Sequence, residues 1–216
     1  MIEIKNACKT IKKQRILSGI SIFLDEGKTY GFIGRNGSGK TMLMKAICGF
    51  VSLDEGCVVF NGKIIGKDID FPPDTGIIIE KPAFVPYMSA VDNLTLLADI
   101  QKKINFQDIE HAIKIVGLDP ANKKKVKAYS LGMKQRLAFA QAIMEQPRVL
   151  VLDEPMNALD KEGILLFRDL LLDMKSKGVT ILICSHISED IDTLCDRVFE
   201  MEQGVLTEVH KTGEMK

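Results

Sequence analysis

Residues 1 to 30 alternate between apolar and polar side chains. Ile2 and Ile4 begin the pattern with one polar residue between them, which is the period of a strand with one buried face. Polar turns at residues 12–14 and 25–27 interrupt the alternation. We therefore predict two or three antiparallel strands in this region.

Two later hairpins are predicted from their turn residues. Asn61-Gly62 separates two short apolar runs, and both positions of such a two-residue turn favour positive φ. Glu202-Gln203-Gly204 separates two further strand-like runs near the end of the chain.

Four continuous apolar runs have the length of strands that are buried on both faces. These runs are Thr29–Ile33, Gly76–Glu80, Arg148–Asp153 and Val179–Cys184. A helical period of three to four residues is found between and after them, at residues 42–47, 91–117, 131–144, 161–176 and 187–195.

Alternating strands and helices predict an α/β fold with a mainly parallel sheet that is covered on both faces. We expect one domain over residues 1–216. Residues 1–80 and 148–216 would form the α/β core with an antiparallel β subdomain. Residues 81–147, in which Pro82 and Pro86 are followed by helical patterns, would form an inserted helical subdomain. The polar tail after His210 is expected to be loose.

One loop between a predicted strand and a predicted helix fits the phosphate-binding pattern of a glycine, four residues and Gly-Lys-Thr. Glycines let the backbone approach a polyphosphate, its N–H groups form an anion nest, the lysine reaches the terminal phosphates, and the threonine can bind Mg²⁺. A chance glycine-rich turn is the alternative, and the flanking strand and helix argue against it. The candidate phosphate-binding residues are Gly34, Arg35, Asn36, Gly37, Ser38, Gly39, Lys40 and Thr41.

Candidate catalytic side chains follow two of the buried strands. Asp153 can hold the metal ion, and Glu154 can take a proton from the attacking water. His186 follows the next apolar strand, and ligands of parallel sheets gather at the carboxyl ends of the strands. The alternatives are an exposed acidic pair and a solvent-facing histidine.

A second candidate phosphate site lies at the start of a predicted helix. Ser130 and Gly132 open this helix, whose first N–H groups are free to bind an anion. The residues could be too far from the phosphate loop to meet the same nucleotide within one chain, so a second copy could deliver them. The alternative is an N-cap serine without a ligand, and spacing alone does not decide between the two.

Charge and cysteine content exclude some functions. Lysine and arginine number 29, as do aspartate and glutamate, so the formal net charge is zero; this argues against nucleic acid as a partner. The sequence has no apolar run long enough to span a membrane and no signal-like start. The cysteines have no paired spacing and are expected to be buried apolar residues in a reducing cytosol; they are Cys8, Cys48, Cys57, Cys184 and Cys195.

The order of these motifs resembles that of the ATP-binding subunits of ABC transporters over essentially the whole chain. The motifs are the phosphate loop, Ser130 to Leu137, Leu152 to Pro155, Asn157 to Asp160, and Ser185-His186.

The resemblance implies a P-loop NTPase fold, ATP and Mg²⁺ as cofactors, and a head-to-tail dimer with itself or with a related ATPase subunit. The phosphate loop of one copy would face Ser130 and Gly132 of the other, with Asn157 and Asp160 at the dimer interface. Hydrolysis would drive separate transmembrane permease subunits, which would hold the protein at the cytoplasmic face of the cell membrane.

Three parts of the sequence depart from the usual family pattern. Residues 129–133 read Tyr-Ser-Leu-Gly-Met where the family usually has Leu-Ser-Gly-Gly-Gln. Ile11 occupies the position of an aromatic residue that stacks on adenine, so it would offer apolar contact only. Glu80 replaces a glutamine, could still reach the magnesium shell, and would change coupling to the membrane partner.

Two short segments are similar to the bacitracin- and lantibiotic-resistance branch of the family, namely residues 80–94 and 130–137. This similarity favours peptide or antibiotic efflux. Alternatives are an ABC ATPase that acts on nucleic acid or ribosomes and a nucleotide-binding scaffold without turnover. The permease would dock near residues 80–88, where the apolar and aromatic side chains are either an exposed patch or part of the lobe core; these are Phe84, Val85, Tyr87 and Met88.

Overall fold

The computed structural model describes residues 1–209, so the tail from His210 onward lies outside the described part of the chain. Its strands are β1 (Ile2–Ile11), β2 (Gln14–Leu24), β3 (Thr29–Ile33), β4 (Glu55–Phe60), β5 (Lys63–Ile64), β6 (Thr75–Ile78), β7 (Val149–Asp153), β8 (Thr180–Cys184), β9 (Arg197–Glu202) and β10 (Val205–Val209). Its helices are α1 (Lys40–Ile47), α2 (Ala90–Gln101), α3 (Phe106–Ile115), α4 (Leu131–Ile143), α5 (Lys161–Ser176) and α6 (Ser188–Leu194), with a 3₁₀ helix at Val126–Ala128.

Four strands form an antiparallel sheet in the order β2-β1-β4-β5. β1 and β2 pair across the turn predicted near residue 12, with Ile11 opposite Gln14. Asn61 and Gly62 have φ values of 47° and 80° and connect β4 to β5. This hairpin is confirmed, because both turn residues adopt the positive φ that the turn requires.

Six strands form the second sheet in the order β10-β9-β3-β8-β7-β6. Every neighbouring pair is parallel except β9 and β10, which form the predicted closing hairpin. The predicted α/β fold with a mainly parallel sheet is therefore confirmed. β3, β8 and β7 are adjacent, so the segments that follow these three strands meet at one edge of the sheet.

This sheet separates two hydrophobic cores. Leu150 and Leu152 of β7 belong to one core, whereas Val149 and Val151 belong to the other. Because β7 is buried on both faces, its residues form a continuous apolar run rather than an alternating one.

Helices α2, α3 and α4 lie within residues 81–147, the segment predicted to be helical. In the first core, the rings of Phe139 on α4 and Phe167 on α5 pack with their centroids 4.2 Å apart. This contact joins α4 to the α/β core. Among residues 1–209, no helix is both long and apolar enough to cross a bilayer.

The segment from residue 91 to 117, whose pattern suggested continuous helix, is two helices. α2 ends where Lys102 adopts a left-handed φ of 54°. α3 then starts afresh, because Asn105 accepts the N–H of Asp108 and Asp108 accepts the N–H of Asn105 in a reciprocal cap. Ile100, at the end of α2, is 76% exposed.

The strand predicted over residues 76–80 is shorter than expected and lies at the sheet edge. β6 ends at Ile78 and pairs only with β7. Its residues alternate between half-buried and buried. An edge position explains why this apolar run is less buried than those of the central strands.

Candidate functional site

The phosphate loop connects β3 to α1, as the sequence predicts. Gly34, Gly37 and Gly39 have φ values of 137°, 81° and 116°, a region that favours glycine. At Gly34 an added Cβ would also collide with the carbonyl oxygen of Met201. These glycines therefore let the loop curve tightly, while Arg35 and neighbouring residues at its tip are exposed.

Lys40 lies inside the curve of this loop. The residue is 8% exposed, and its ammonium donates to the carbonyl oxygens of Gly34 at 2.7 Å and Arg35 at 3.2 Å. The N-cap of α1, Gly39, makes no side-chain cap, so the first N–H groups of the helix face the loop without a side-chain acceptor. A buried cation among free amides fits a polyphosphate.

Two predicted metal ligands come together at the carboxyl end of β7. The Thr41 hydroxyl donates to Asp153 Oδ2 at 2.6 Å, although the residues are 112 positions apart. Hydroxyl and carboxylate oxygens are ligands that suit Mg²⁺. Burial, together with the charge of Asp153, raises the pKa of the neighbouring Cys184 thiol well above its usual value. Cys184 therefore stays protonated and leaves the hard oxygens as the available ligands.

Glu154 and His186 are in direct contact. His186 Nδ1 lies 2.7 Å from Glu154 Oε2, and with Nδ1 protonated the imidazole donates to the carboxylate. Glu154 has a φ of 51°, and its N–H donates to the carbonyl of Cys184 at 3.0 Å. This left-handed turn ends β7 and holds Glu154 beside the end of β8.

Ser130 is the N-cap of α4, and its hydroxyl accepts the N–H of Met133 at 3.2 Å. Within one chain, Ser130 therefore acts as a helix cap. Ser130 is exposed, and the adjacent Leu131 is 60% exposed. Gly132 packs against the loop after β7, because an added Cβ would lie 2.8 Å from the carbonyl oxygen of Ala158.

The loop that contains Asn157 and Asp160 is tied to α4 by side chains that the sequence did not single out. The Gln135 amide donates to the buried carbonyl of Pro155 at 2.8 Å, and Arg136 pairs with Asp160 at 3.1 Å. The Gly163 N–H, with help from Arg136, holds the pKa of Asp160 below its usual value. Asn157 is exposed, so the loop is anchored at its ends with an exposed centre.

A cleft of about 690 Å³ opens beside the phosphate loop and is lined by residues 14–16, 34–38 and 200–204. Neither Ser130 nor Gly132 lines this cleft. Ile11, predicted at the adenine position, is 39% exposed and does not line it either. Arg15 and Ile16, which the sequence analysis missed, do so because the β1–β2 turn brings the start of β2 back to the loop.

Glu80 contacts α1 rather than the acidic pair. Its Oε1 lies 2.5 Å from Lys45 Nζ, and its side chain is 61% exposed. Within residues 1–209, no three His, Cys, Asp or Glu side chains form a metal-binding group. Glu80 therefore does not join Asp153 and Glu154 in one cluster, and it is tethered one helical turn beyond Thr41.

The segment with the predicted docking residues is partly exposed. Tyr87 is 70% exposed and Val85 is 41% exposed. Phe84 and Met88 are half-buried, and Phe84 packs against the first core. Val85 and Tyr87 therefore belong to an exposed patch, whereas Phe84 belongs to the core of the helical lobe.

A groove of about 690 Å³ lies between β6 and the helices next to this segment. Its wall combines the segment from Ile77 to Ala83 with Leu97 and Ile100 of α2 and Gln141 of α4. Exposed apolar side chains at Phe50 and Phe71 form one end of it.

Comparison with known proteins identifies the family. The model of the ABC transporter family matches residues 17–157. The ABC transporter ATP-binding protein YybJ of Bacillus subtilis is 47% identical over 206 residues, which are 95% of this chain and 94% of YybJ.

Two relatives have named transport substrates. The bacitracin transport ATP-binding protein BcrA of Enterococcus faecalis is 36% identical over 217 residues, covering all of this chain and 70% of BcrA. The lantibiotic transport ATP-binding protein SrtF of Streptococcus pyogenes is 36% identical over 205 residues, covering 94% of this chain and 88% of SrtF. The predicted similarity to this branch is confirmed, and the comparisons favour transport over an action on nucleic acid or ribosomes.

Solved structures show the same fold. The dimeric structure of MJ0796, a bacterial ABC transporter cassette, matches with a TM-score of 0.86 at 21% identity and covers 97% of this chain and 99% of that one. A post-hydrolysis dimer of MJ0796 with ADP and Pi also matches with a TM-score of 0.86, at 20% identity and the same coverage. From its sequence relatives, its motifs and its fold, the chain belongs to the ABC transporter family as an ATP-binding and ATP-hydrolysing subunit.

Proposed function

We propose that this chain hydrolyses ATP at the edge where β3, β8 and β7 end, and that hydrolysis drives a separate membrane permease. The observation that carries the proposal is that three groups of residues meet at this one edge of the sheet. The phosphate loop follows β3, the Thr41–Asp153 pair connects α1 to the end of β7, and the Glu154–His186 pair connects the ends of β7 and β8. Three adjacent parallel strands thus present the groups that phosphate binding, metal binding and proton transfer require.

Residues Gly34 to Thr41 would hold the phosphates. The loop amides and the α1 N-terminus bind negative charge, and the Lys40 ammonium exchanges its loop carbonyls for phosphate oxygens. Thr41 and Asp153 would hold Mg²⁺, which neutralises charge on the phosphates during the reaction.

Glu154 would accept the proton of the attacking water. Its side chain is 22% exposed, so it is accessible to water but sheltered from bulk solvent. With Nδ1 protonated, His186 would donate to one carboxylate oxygen and leave the other free to accept that proton. Both residues lie on segments that begin directly after buried strands, so their separation is fixed by the sheet.

A second copy would complete each site. Ser130 is exposed at the N-terminus of α4, and Gly132 is half-buried in the first turn of that helix. In a head-to-tail dimer this N-terminus would meet the phosphates bound by the other copy. Asn157, exposed on the loop that packs against α4, would then face the partner.

The groove between β6 and α2 is the proposed permease site. It combines exposed apolar side chains with Glu80. Glu80 forms an ion pair with Lys45, which lies on the same helix as Thr41. Movement at the groove would therefore reach the metal ligand through one ion pair and one helical turn. The protein would thus be peripheral on the cytoplasmic face of the membrane, and its cargo, by analogy with BcrA and SrtF, would be a peptide antibiotic.

Glu154→Gln tests the proposal. The amide keeps the shape of the side chain but cannot accept a proton, so steady-state phosphate release is expected to fall by about 100-fold or more. ATP binding is expected to remain, and with ATP and Mg²⁺ the variant should elute from a sizing column as a dimer. Glu162→Gln, an exposed position on α5, is the matched control and should behave as the unmodified protein.

Two results would contradict the proposal separately. Phosphate release near that of the control would remove Glu154 from the reaction. A monomer under saturating ATP and Mg²⁺ would remove the second copy from the site.

A further inference from the structure

The hydroxyl group of Ser185, the residue before His186, contacts two residues that follow the histidine. The Ser185 hydroxyl accepts the N–H of Ile187 at 3.1 Å and donates to Asp190 Oδ2 at 3.1 Å. Ser185 is 2% exposed, whereas the His186 side chain is 63% exposed. The backbone is therefore held on both sides of a histidine that is itself largely in solvent.

Asp190 provides a fixed acceptor for this hydroxyl. The residue is fully buried, and a buried carboxylate requires a charged partner. Its Oδ1 accepts Arg168 Nε at 2.7 Å and lies 2.6 Å from a terminal nitrogen of the same guanidinium. Since Oδ1 is bound by Arg168 and Oδ2 by Ser185, the carboxylate has one orientation.

Arg168 connects this network to α5, the helix that begins in the loop after Glu154. It is buried in α5, and it also pairs with the exposed Glu189 at 2.9 Å. α5 begins at its N-cap Asp160, in the loop that follows Glu154, and Arg168 lies about 12 Å along the helix at 1.5 Å per residue. The same rigid helix therefore contacts the segment after Glu154 and the segment after His186.

We propose that Arg168, Asp190 and Ser185 are positioning residues for ATP hydrolysis, which act by holding His186 against Glu154. This inference rests on the proposed function, since it needs His186 to contribute to turnover. Arg168 is 22 residues away from Asp190, and no motif in the sequence connects them. The contact is seen only in the folded chain.

Ser185→Ala tests the inference with little change in volume. It removes the hydroxyl that holds both Ile187 and Asp190, but it leaves the Arg168–Asp190 pair intact. We expect kcat for ATP hydrolysis to fall roughly tenfold, as small misplacements of catalytic groups do, with KM for ATP within about twofold. In a His186→Ala background the same change is expected to cause no further loss, because the group that it positions is absent.

Ser21→Ala is the matched control. The Ser21 hydroxyl also accepts a backbone N–H, that of Asn6 at 2.9 Å, but in the β1–β2 hairpin. It should leave kcat unchanged, and urea unfolding of all variants reports their stability. Arg168→Lys, which keeps the charge but loses the two-point contact with Asp190, is the second variant and should show the same dependence on His186.

Three results of these kinetic measurements would overturn the inference. Equal losses from Ser185→Ala with and without His186 would show a general structural role and overturn the inference, as would a Ser185→Ala enzyme with normal kcat beside an impaired His186→Ala enzyme. A fully active His186→Ala enzyme would instead refute the role of His186 in the proposed function, and the inference with it.

Discussion

At Gly39 a single methyl group would meet backbone rather than open space. The residue has a φ of 116°, and an added Cβ would lie 2.7 Å from the carbonyl oxygen of Ile16. Gly39→Ala therefore combines an unfavourable backbone conformation with a collision, and we expect the free energy of unfolding to fall by about 3 kcal/mol. Urea unfolding without nucleotide measures this change.

Gly66→Ala provides the comparison. Gly66 also has a positive φ, of 79°, but an added Cβ would have no heavy atom within 4 Å. Gly66→Ala should lower the free energy of unfolding by only about 1 kcal/mol, which is the cost of the backbone conformation alone. Equal losses at the two positions would show that the approach of β2 to the phosphate loop places no steric demand on Gly39.

Single residues of the site could be predicted where they belong to a short sequence motif. The pattern from Gly34 to Thr41 and the acidic pair 153–154 each occupy a short stretch, so the sequence could identify them. Contacts between distant segments could not be identified in this way. The positions of Arg15 beside the phosphate loop and of Arg168 against Asp190 depend on which strands and helices become neighbours, and that information is absent from local spacing.

At the scale of elements, one buried hydrogen bond connects α4 to the catalytic loop, which is formed by residues 154–160 between β7 and α5. The Gln135 amide donates to the Pro155 carbonyl, next to Glu154. Gln135→Leu replaces the amide by an apolar side chain of similar size and leaves this buried carbonyl without its donor. We expect a loss of about 1–3 kcal/mol in the free energy of unfolding.

Gln141→Leu is the control on the same helix. Gln141 is half-buried and lies in the groove, away from the catalytic loop. It should change stability by less than about 0.5 kcal/mol. If both variants unfold at the same urea concentration, the Gln135 bond does not anchor α4.

Elements were predictable in proportion to the strength of their pattern. α5 begins and ends as predicted because the change from loop to helix occurs at a capping aspartate, Asp160, and the chain after Ser176 leaves the helix at a glycine. Residues 91–117 kept an apolar period through a break, so periodicity alone could not show that Lys102 turns left-handed. For β6, an apolar run shows burial potential but not whether a strand lies at the sheet edge.

At the scale of the whole molecule, the proposed dimer has a consequence that one chain cannot reproduce. Lys40→Ala disables the phosphate loop, and Ser130→Arg blocks the exposed helix N-terminus with a bulky side chain. In a head-to-tail dimer, each site takes its loop from one copy and its helix from the other. A mixed dimer of the two variants therefore has one site with both defects and one site with neither.

Mixing the two inactive proteins should thus restore hydrolysis. With equal amounts and random pairing, half of the dimers are mixed and half of their sites are intact, so activity should reach about a quarter of that of the unmodified protein. Phosphate release is measured for each variant alone and for the mixture at the same total concentration. If the loop and the helix of one chain served the same ATP, every site would retain a defect, and the mixture would stay as inactive as its components.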